Sequence, residues 1–414
     1  MSYKRYSEYK DSGIEWIGEI PKGWSIRKIK YICSIYTGNS ISDTEKDNYT
    51  DEENAVPYIA TKDINILNNE INYENGMYIP YDDNDFKVAP KNSILLCIEG
   101  GSAGKKIAYT EKEVCYVNKL CNFITNDSFN SKYLYYILQS DAFLIDFNLN
   151  ISGLIGGVSK SIIKNIFTIY HNFNDQQSIA SYLDTQCALI DKAIETQNKI
   201  IEKLKEYKKS IITEAVTKGL DKNSKMKDSG IEWIGEIPEG WKVRKFKYIC
   251  DISSGDALTK EDIDDKYMYE VYGGGELIGF ANKFNIDNCI LVGRVGANCG
   301  CVKKIDKKCW ATDNALVLQT NYNKSYITYL LIASDLNKLN ESNAQPLITA
   351  TKINNFKISF TVSDLEQEMI TNYLNKKCEQ IDTTISNKEQ IIDKLQNYKK
   401  SLIYECVTGK RRIE

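Results

Sequence analysis

One stretch occurs twice in this chain, and few folds without internal symmetry accommodate that. Asp11–Trp24 reads DSGIEWIGEIPKGW and Asp228–Trp241 reads DSGIEWIGEIPEGW, differing only at Lys22 and Glu239. A looser match continues: Arg27, Lys28, Lys30, Tyr31, Ile32 and Cys33 return as Arg244, Lys245, Lys247, Tyr248, Ile249 and Cys250. The offset is 217 residues (228 − 11), just over half of the 414, which reads as internal duplication. A second set agrees. Tyr182–Leu183, Cys187, Asp191, Leu204, Tyr207–Ser210 and Val216–Thr217 return as Tyr373–Leu374, Cys378, Asp382, Leu395, Tyr398–Ser401 and Val407–Thr408, at an offset of 191 (374 − 183). Each half therefore has a constant opening, a variable middle and a constant close, and the first middle is longer by 26 residues (217 − 191). Two copies of one scaffold carrying unlike inserts suit the reading of two unlike things.

Taken in order, residues 1–24 hold the first constant segment. Ile14, Trp16, Ile17, Ile20 and Trp24 are too apolar for a free tail, and Pro21–Lys22–Gly23 signals a turn. The segment needs a partner surface that each half also owns. Residues 25–172 form the first variable domain, with β-rich runs at Ile26–Tyr36, Ile94–Ile98 and Val114–Val117 and helical spacing over Ser131–Asn148. Its acidic loop Asp43–Glu53, six carboxylates against Lys46, should face solvent. Residues 173–218 are a helix, 219–241 a linker with the second constant segment, 242–362 the second variable domain and 363–414 the closing helix. Ile290–Val292 aligns with Ile94–Leu96, and GGSAGKKIAY at Gly100–Tyr109 aligns with GANCGCVKKI at Gly296–Ile305. The two middles read as one α+β fold with divergent loops.

Both closing segments carry a seam. Apolar residues fall at Leu183, Cys187, Ile190, Ile194, Ile201, Leu204, Ile211 and Ala215, and again at Leu374, Cys378, Ile381, Ile385, Ile392, Leu395, Leu402 and Cys406. Gln197 and Lys208, or Lys388 and Lys399, fill the gaps. Alternating steps of three and four over more than four heptads predict coiled-coil helices. Two such helices in one chain should pair, and a pseudo-twofold between the halves makes them antiparallel. An amphipathic helix lying on its own domain is the alternative, but it leaves the recurrent Lys208 and Lys399 unexplained. Ser363 followed by Glu366 predicts a capping box at the start of the second helix.

Composition excludes several classes. Hydrophobic residues make up 42% and charged residues 26%, ordinary for a soluble globular protein, and no apolar run reaches the length of a membrane span. A cytoplasmic protein with no membrane partner is expected. Of twelve cysteines only Cys289, Cys299, Cys301 and Cys309 have metal-like spacing. The first half does not reproduce that cluster and the single histidine, His171, lies elsewhere, so reduced structural thiols and no metal are expected. Gly100–Lys106 misses the phosphate-binding loop pattern at Glu99 and Lys106. Six prolines include no adjacent pair, which removes the Asn-Pro-Pro-aromatic tetrapeptide of amino-methyltransferases, and one histidine leaves little for a triad. The chain should not catalyse.

A net charge of −3 and a pI near 5.7 count against a nucleic-acid binder, although binding needs only a local positive surface. Such a surface has candidates beside the glycine-rich turns: Lys105, Lys106, Lys160, Arg294, Asn298, Lys303, Lys304 and Lys352. Arginine can grip guanine edges and lysine can hold phosphate. Each of them, taken alone, reads first as plain surface charge.

The duplicated D-S-G-I-E-W-I-G-E-I-P-x-G-W segment, the two variable middles and the E-Q-x-x-I-x-x-Y-L-like starts of the helices (Gln177–Leu183 and Gln367–Leu374) resemble the specificity subunit of type I restriction–modification systems. The resemblance covers essentially the whole chain. It implies two target-recognition domains, each reading one half of a bipartite, asymmetric site on double-stranded DNA. It also implies that the helices serve as a ruler and as the dock for two methyltransferase subunits, with restriction subunits joining that core. S-adenosylmethionine, ATP and Mg would then sit on those partners, and this chain would hold no cofactor. The alternative from another class is a coiled-coil adaptor with two protein-interaction domains and no DNA binding.

Overall fold

The computed structural model of the chain describes residues 4–340 and 346–413. They form two compact units, the first from Met1–Gln197 with Gln390–Glu414 and the second from Asn198–Glu389. Two long helices, Phe173–Lys218 and Asp364–Val407, each contribute one stretch to each unit. In the first unit Leu183, Cys187 and Ile190 share a core with Leu402, Ile403 and Cys406. In the second, Ile212, Ala215 and Val216 share one with Ile370, Leu374 and Cys378. The beginning of one helix meets the end of the other both times, which is an antiparallel pairing.

The seam explains its own polar gaps. Leu183, Ile190, Ile201, Ile211, Leu374, Ile381, Ile385 and Leu402 are buried, and Ile194, Leu204, Ile392 and Leu395 are half-buried. Burying one such side chain contributes roughly 1.5–3 kcal/mol. Lys399 reaches Asp191 at 2.7 Å in the first unit, and Lys208 reaches Asp382 at 2.7 Å in the second. The recurrent lysine thus meets a recurrent aspartate of the facing helix. The cap of the second helix is half of the expected box. Ser363 Oγ accepts from the Glu366 N–H at 3.3 Å, but the Glu366 carboxylate accepts from Trp241 Nε1 and Thr361 Oγ1 instead of turning back to Ser363.

The constant segments find their partner surface at the ends of these helices. In the second unit Ile234, Ile237 and Trp241 pack on Ile212, Ala215 and Val216, just before them in the chain. In the first, Ile17, Ile20 and Trp24 pack on Leu402, Ile403, Cys406 and Val407, at the other end of the chain. Tyr404 Oη donates to the Trp16 carbonyl at 2.8 Å and Lys410 Nζ to the Ile17 carbonyl at 2.6 Å. Gly409 is fixed there twice over: its φ is +72°, and an added Cβ would lie 2.4 Å from Pro21.

The variable domains differ in how far one strand persists. The second unit has a six-stranded sheet in which Val302–Ala311 pairs antiparallel with Ile286–Gly293 and parallel with Tyr269–Gly273. In the first unit that strand is interrupted, giving Ile107–Tyr109 in one four-stranded sheet and Val114–Tyr116 in another. Two sequence readings need correction. Ile26–Tyr36 is not one run: Ser25–Lys28 pairs with Phe167–Tyr170, Cys33–Thr37 pairs with Leu120–Thr125, and a 3₁₀ turn at Ile29–Tyr31 separates them. Ser131–Asn148 is two helices, Ser131–Gln139 and Asp141–Leu149, because Ser140 turns extended and its Oγ bonds back to the Ile137 carbonyl. The acidic loop is exposed along nearly its whole length, as its charge requires.

Candidate nucleic-acid interface

Each unit lashes two loops together beside its central strand. In the first, the Gly100 N–H donates to the Gly156 carbonyl at 2.7 Å and Val158 N–H to Ile98 O at 3.0 Å. In the second, Gly296 N–H donates to Pro346 O at 3.3 Å and Ile348 N–H to Arg294 O at 2.9 Å. The glycine turn needs glycine, since φ is +82° at Gly100 and +70° at Gly296. At the strand end of the second turn a Cβ on Gly293 would sit 2.0 Å from the Asn298 carbonyl oxygen. The second loop then runs into a short helix, Lys160–Ile163 capped by Ser159 or Ala350–Asn355 capped by Thr349. By these hydrogen bonds Ile98 and Arg294 occupy one position. The frame is shared and its side chains are not.

The sequence candidates distribute unevenly over this frame. Lys105 is exposed on the first turn, its Nζ reaching the Gly101 carbonyl at 3.1 Å. Lys160 opens the short helix and is half-buried. Arg294 is half-buried, with Nη1 on Ser254 Oγ at 3.2 Å and Nε buried. Asn298 ends the second turn, and Lys352 lies on the second short helix with Nζ on Leu339 O at 3.0 Å. Lys303 is exposed on the strand leaving that turn, 4.7 Å over the Tyr272 ring. Beside it Lys307, with the Tyr272 hydroxyl, holds the Glu270 carboxyl below its ordinary pKa. Lys106 and Lys304 are drawn elsewhere. Lys106 Nζ donates to the Thr61 carbonyl at 2.8 Å. Lys304, on the opposite pleat from Lys303, bonds Ser325 Oγ at 2.9 Å and faces a cleft of about 750 Å³ against the helices, away from the turn.

Sequence reasoning missed two features. Ile151, Leu154 and Ile155 are exposed apolar residues on the first unit's second loop, following the exposed Leu149 at the end of its helix, and Leu154 is fully exposed. Its signal was an apolar pair between glycines, ISGLIGG. The other is a buried glutamine behind the frame. The residue aligned with Gln367 is Gln176, not Gln177, and both are wholly buried. Gln176 Oε1 accepts from Asn130 N–H at 2.8 Å and Gln367 Oε1 from Asn323 N–H at 3.3 Å. Those asparagines cap the first helix of each variable domain, so one side chain ties that domain to its long helix.

Nearby, His171 stacks on Trp24 at 3.9 Å. Burial pushes its pKa down to about 4, against the smaller upward pulls of Asp175 and the Asn172 backbone. Among the described residues no three His, Cys, Asp or Glu side chains converge as metal ligands. Cys289 and Cys309 are buried, Cys299 donates to the Arg294 carbonyl at 3.3 Å, and Cys301 is exposed. No described helix is long and apolar enough to cross a membrane.

Residues 21–212 and 238–397 each match the family described as the type I restriction modification DNA specificity domain. The MjaVIII type I restriction enzyme specificity subunit of Methanocaldococcus jannaschii is 25% identical over 444 residues, covering 95% of this chain and 94% of that one. The MjaIX specificity subunit from the same organism is 26% identical over 285 residues, covering 64% of this chain and 59% of its own. A solved chain from work on complex assembly and conformational transition of the type I R-M system superposes with a TM-score of 0.70 at 13% identity. It covers 94% of this chain and 99% of its own length, a likeness of fold.

Proposed function

The chain belongs to the type I restriction–modification DNA specificity family, and from that membership we propose that it is the sequence-reading subunit of such a complex. Each variable domain reads one half of a bipartite, asymmetric DNA site. The long helices set the spacing between half-sites and dock two methyltransferase subunits, and restriction subunits join that core. The chain itself performs no chemistry: S-adenosylmethionine, ATP and Mg bind to the partners. Family membership displaces the adaptor alternative, which no observation favours.

One observation carries this reading. The two frames have the same backbone hydrogen bonds, yet the position that holds Ile98 in one holds Arg294 in the other. Ile98 is buried in the core of its unit, whereas the half-buried Arg294 brings to the same position a guanidinium fork of the kind that suits the N7 and O6 of guanine. A scaffold that keeps its frame and exchanges such groups is built to read two different sequences.

The test is domain exchange. Residues 242–362 are replaced by the corresponding region of another family member, the complex is expressed with its methyltransferase, and methylated sites are mapped genome-wide. One half-site should change and the other persist. A change in both would defeat the independent-reader reading, and methyl transfer by the purified chain alone would defeat the assignment of the chemistry to the partners.

A further inference from the structure

Duplication supplies an internal test of what a surface is for. Side chains that read unlike half-sites must differ between the units, whereas side chains that do one job at both must recur. Among exposed cations this separates the loops from a second surface. Arg27, Lys28, Lys30 and Tyr31 recur as Arg244, Lys245, Lys247 and Tyr248, and both sets have one geometry. Strand Ser25–Lys28 pairs with Phe167–Tyr170 and enters the 3₁₀ turn Ile29–Tyr31. Strand Lys242–Lys245 pairs with Lys357–Phe360 and enters the turn Phe246–Tyr248. Ile29 and Phe246 are the buried anchors, which turns the following lysine and tyrosine outward.

Tyr31 is 62% exposed and Tyr248 64%, and each carries a lysine ammonium over its ring, Lys30 at 5.2 Å and Lys247 at 4.9 Å. Lys28 also reaches Asn165 Oδ1 at 3.5 Å, and its counterpart Lys245 reaches the recurrent Asn355 Oδ1 at 3.4 Å. An asparagine carbonyl positions a lysine without cancelling its charge. Among the described residues none of these cations has a carboxylate partner, whereas Lys208, Lys209 and Lys399 on the helices are paired at 2.7–2.8 Å. Burial does not require two exposed tyrosines, and a merely solvated face does not require the same lysine–asparagine and lysine–tyrosine placement twice.

The surface adjoins the paired loops. Ile29 N–H donates to Ile166 O at 3.0 Å and Phe246 N–H to Phe356 O at 3.2 Å, directly after the short helices that follow those loops. Helices of four and six residues rise roughly 6–9 Å, about two to three base-pair steps.

We propose that this recurrent Arg-Lys-x-Lys-Tyr platform is, in each unit, a sequence-independent clamp on the duplex phosphate backbone flanking the bases that the loops read. The proposal rests on the DNA-reading function above. The ammonium groups neutralise phosphates and release counterions, and the tyrosine hydroxyl donates to a phosphate oxygen; neither contact carries sequence information.

The test uses the full complex with its methyltransferase subunits and a variant carrying Lys28→Ala, Lys30→Ala, Lys245→Ala and Lys247→Ala. Binding to cognate and unrelated duplexes is titrated between roughly 50 and 200 mM salt. Cognate and unrelated affinities should fall by the same factor. The slope of log K against log salt should become shallower by about 0.9 for each phosphate that is no longer neutralised, while methylated sites stay the same. The four Lys→Arg replacements should restore the slope. A selective loss on cognate DNA would make these residues base readers and overturn the clamp. Loss of methyltransferase co-purification with an unchanged slope would make the surface a protein dock and also overturn it. Selective binding with an unchanged slope defeats the clamp alone, whereas a wild-type complex with no selective binding defeats the function beneath it as well.

Discussion

The two units close the same joint with different hydrogen bonds. In the first, the carbonyl of Val407 accepts from Tyr133 Oη at 2.9 Å; in the second, its counterpart Val216 accepts from Ser359 Oγ at 2.8 Å. Tyr133 has an equivalent hydroxyl in the other unit and Ser359 has none. Tyr326 follows the capping Asn323 as Tyr133 follows Asn130, whereas Ser359, opposite Val243, stands where Ile169 stands opposite Ile26. Each unit also keeps a buried spare hydroxyl: Thr168 Oγ1 has no partner, and Tyr326 Oη donates to no acceptor and has only the Thr361 backbone beside it. Duplication therefore preserved the acceptor while its donor changed. A buried carbonyl left unpaired is costly, and a spare hydroxyl is tolerated.

The same joint holds the largest expected difference. Trp24 stacks on His171 in the first unit, but Trp241 donates its indole N–H to Glu366 at 2.9 Å in the second, where the buried Thr361, whose carbonyl accepts from Gln367 Nε2 as that of His171 accepts from Gln176 Nε2, stands in place of His171. A histidine whose pKa falls to about 4 on folding binds its proton more tightly unfolded. Its neutral form therefore costs nothing above an unfolded pKa of about 6.5, and stability is lost as pH falls from there toward 4. The loss amounts to about 3 kcal/mol. Urea unfolding followed by hydrogen exchange should show the first unit weakening over that window in wild-type protein and much less in His171→Phe. Equal acid sensitivity of both forms would show that His171 is not the responsible group.

Exchanging the donors sharpens the comparison next. Tyr133→Phe strands the Val407 carbonyl and should destabilise the first unit by about 1–3 kcal/mol, and Ser359→Ala should do the same to the second. Tyr326→Phe and Thr168→Val remove hydroxyls that serve no acceptor, so they should be close to neutral. The measurement is the denaturation midpoint with the slope held constant. If the two tyrosine variants cost the same, the difference in pairing has no energetic meaning.

What the sequence made legible follows from what repeats. Recurrence marked the constant segments, the seam and Lys208/Lys399, since identical neighbours impose identical packing. It did not mark the break at Ser140, where one serine hydroxyl competes with the helix for the Ile137 carbonyl while apolar spacing continues across it. Nor did it show that residues between Tyr109 and Val114 divide one sheet into two. Among the candidate site residues, charge and proximity to glycine selected Lys105, Arg294 and Asn298 on the turns, but equally Lys106 and Lys304, which the pleat and local acceptors draw away. Side-chain direction is decided by register, which a single sequence leaves open by one residue, as with Gln176 and Gln177.

The smallest expected difference lies in the two seam ion pairs, which share a distance but not an environment. Lys399 contacts both carboxylate oxygens of Asp191 at 2.7 Å, and Lys208 contacts both of Asp382 at 2.7 Å. The side chains of the first pair are 17% and 33% exposed, those of the second 30% and 57%. Water and salt screen the second pair more, and an exposed pair contributes only about 0–1 kcal/mol. Removing one partner from the drier pair also leaves a carboxylate with less solvent to stabilise it. Lys399→Met should therefore cost about 1 kcal/mol and Lys208→Met a few tenths. Double-mutant cycles with Asp191→Asn and Asp382→Asn isolate the two coupling energies. High salt should shrink the Lys208–Asp382 coupling by the larger fraction. Equal couplings with equal salt sensitivity would mean that contact distance alone, and not the solvent around it, sets the strength of a seam ion pair in this scaffold.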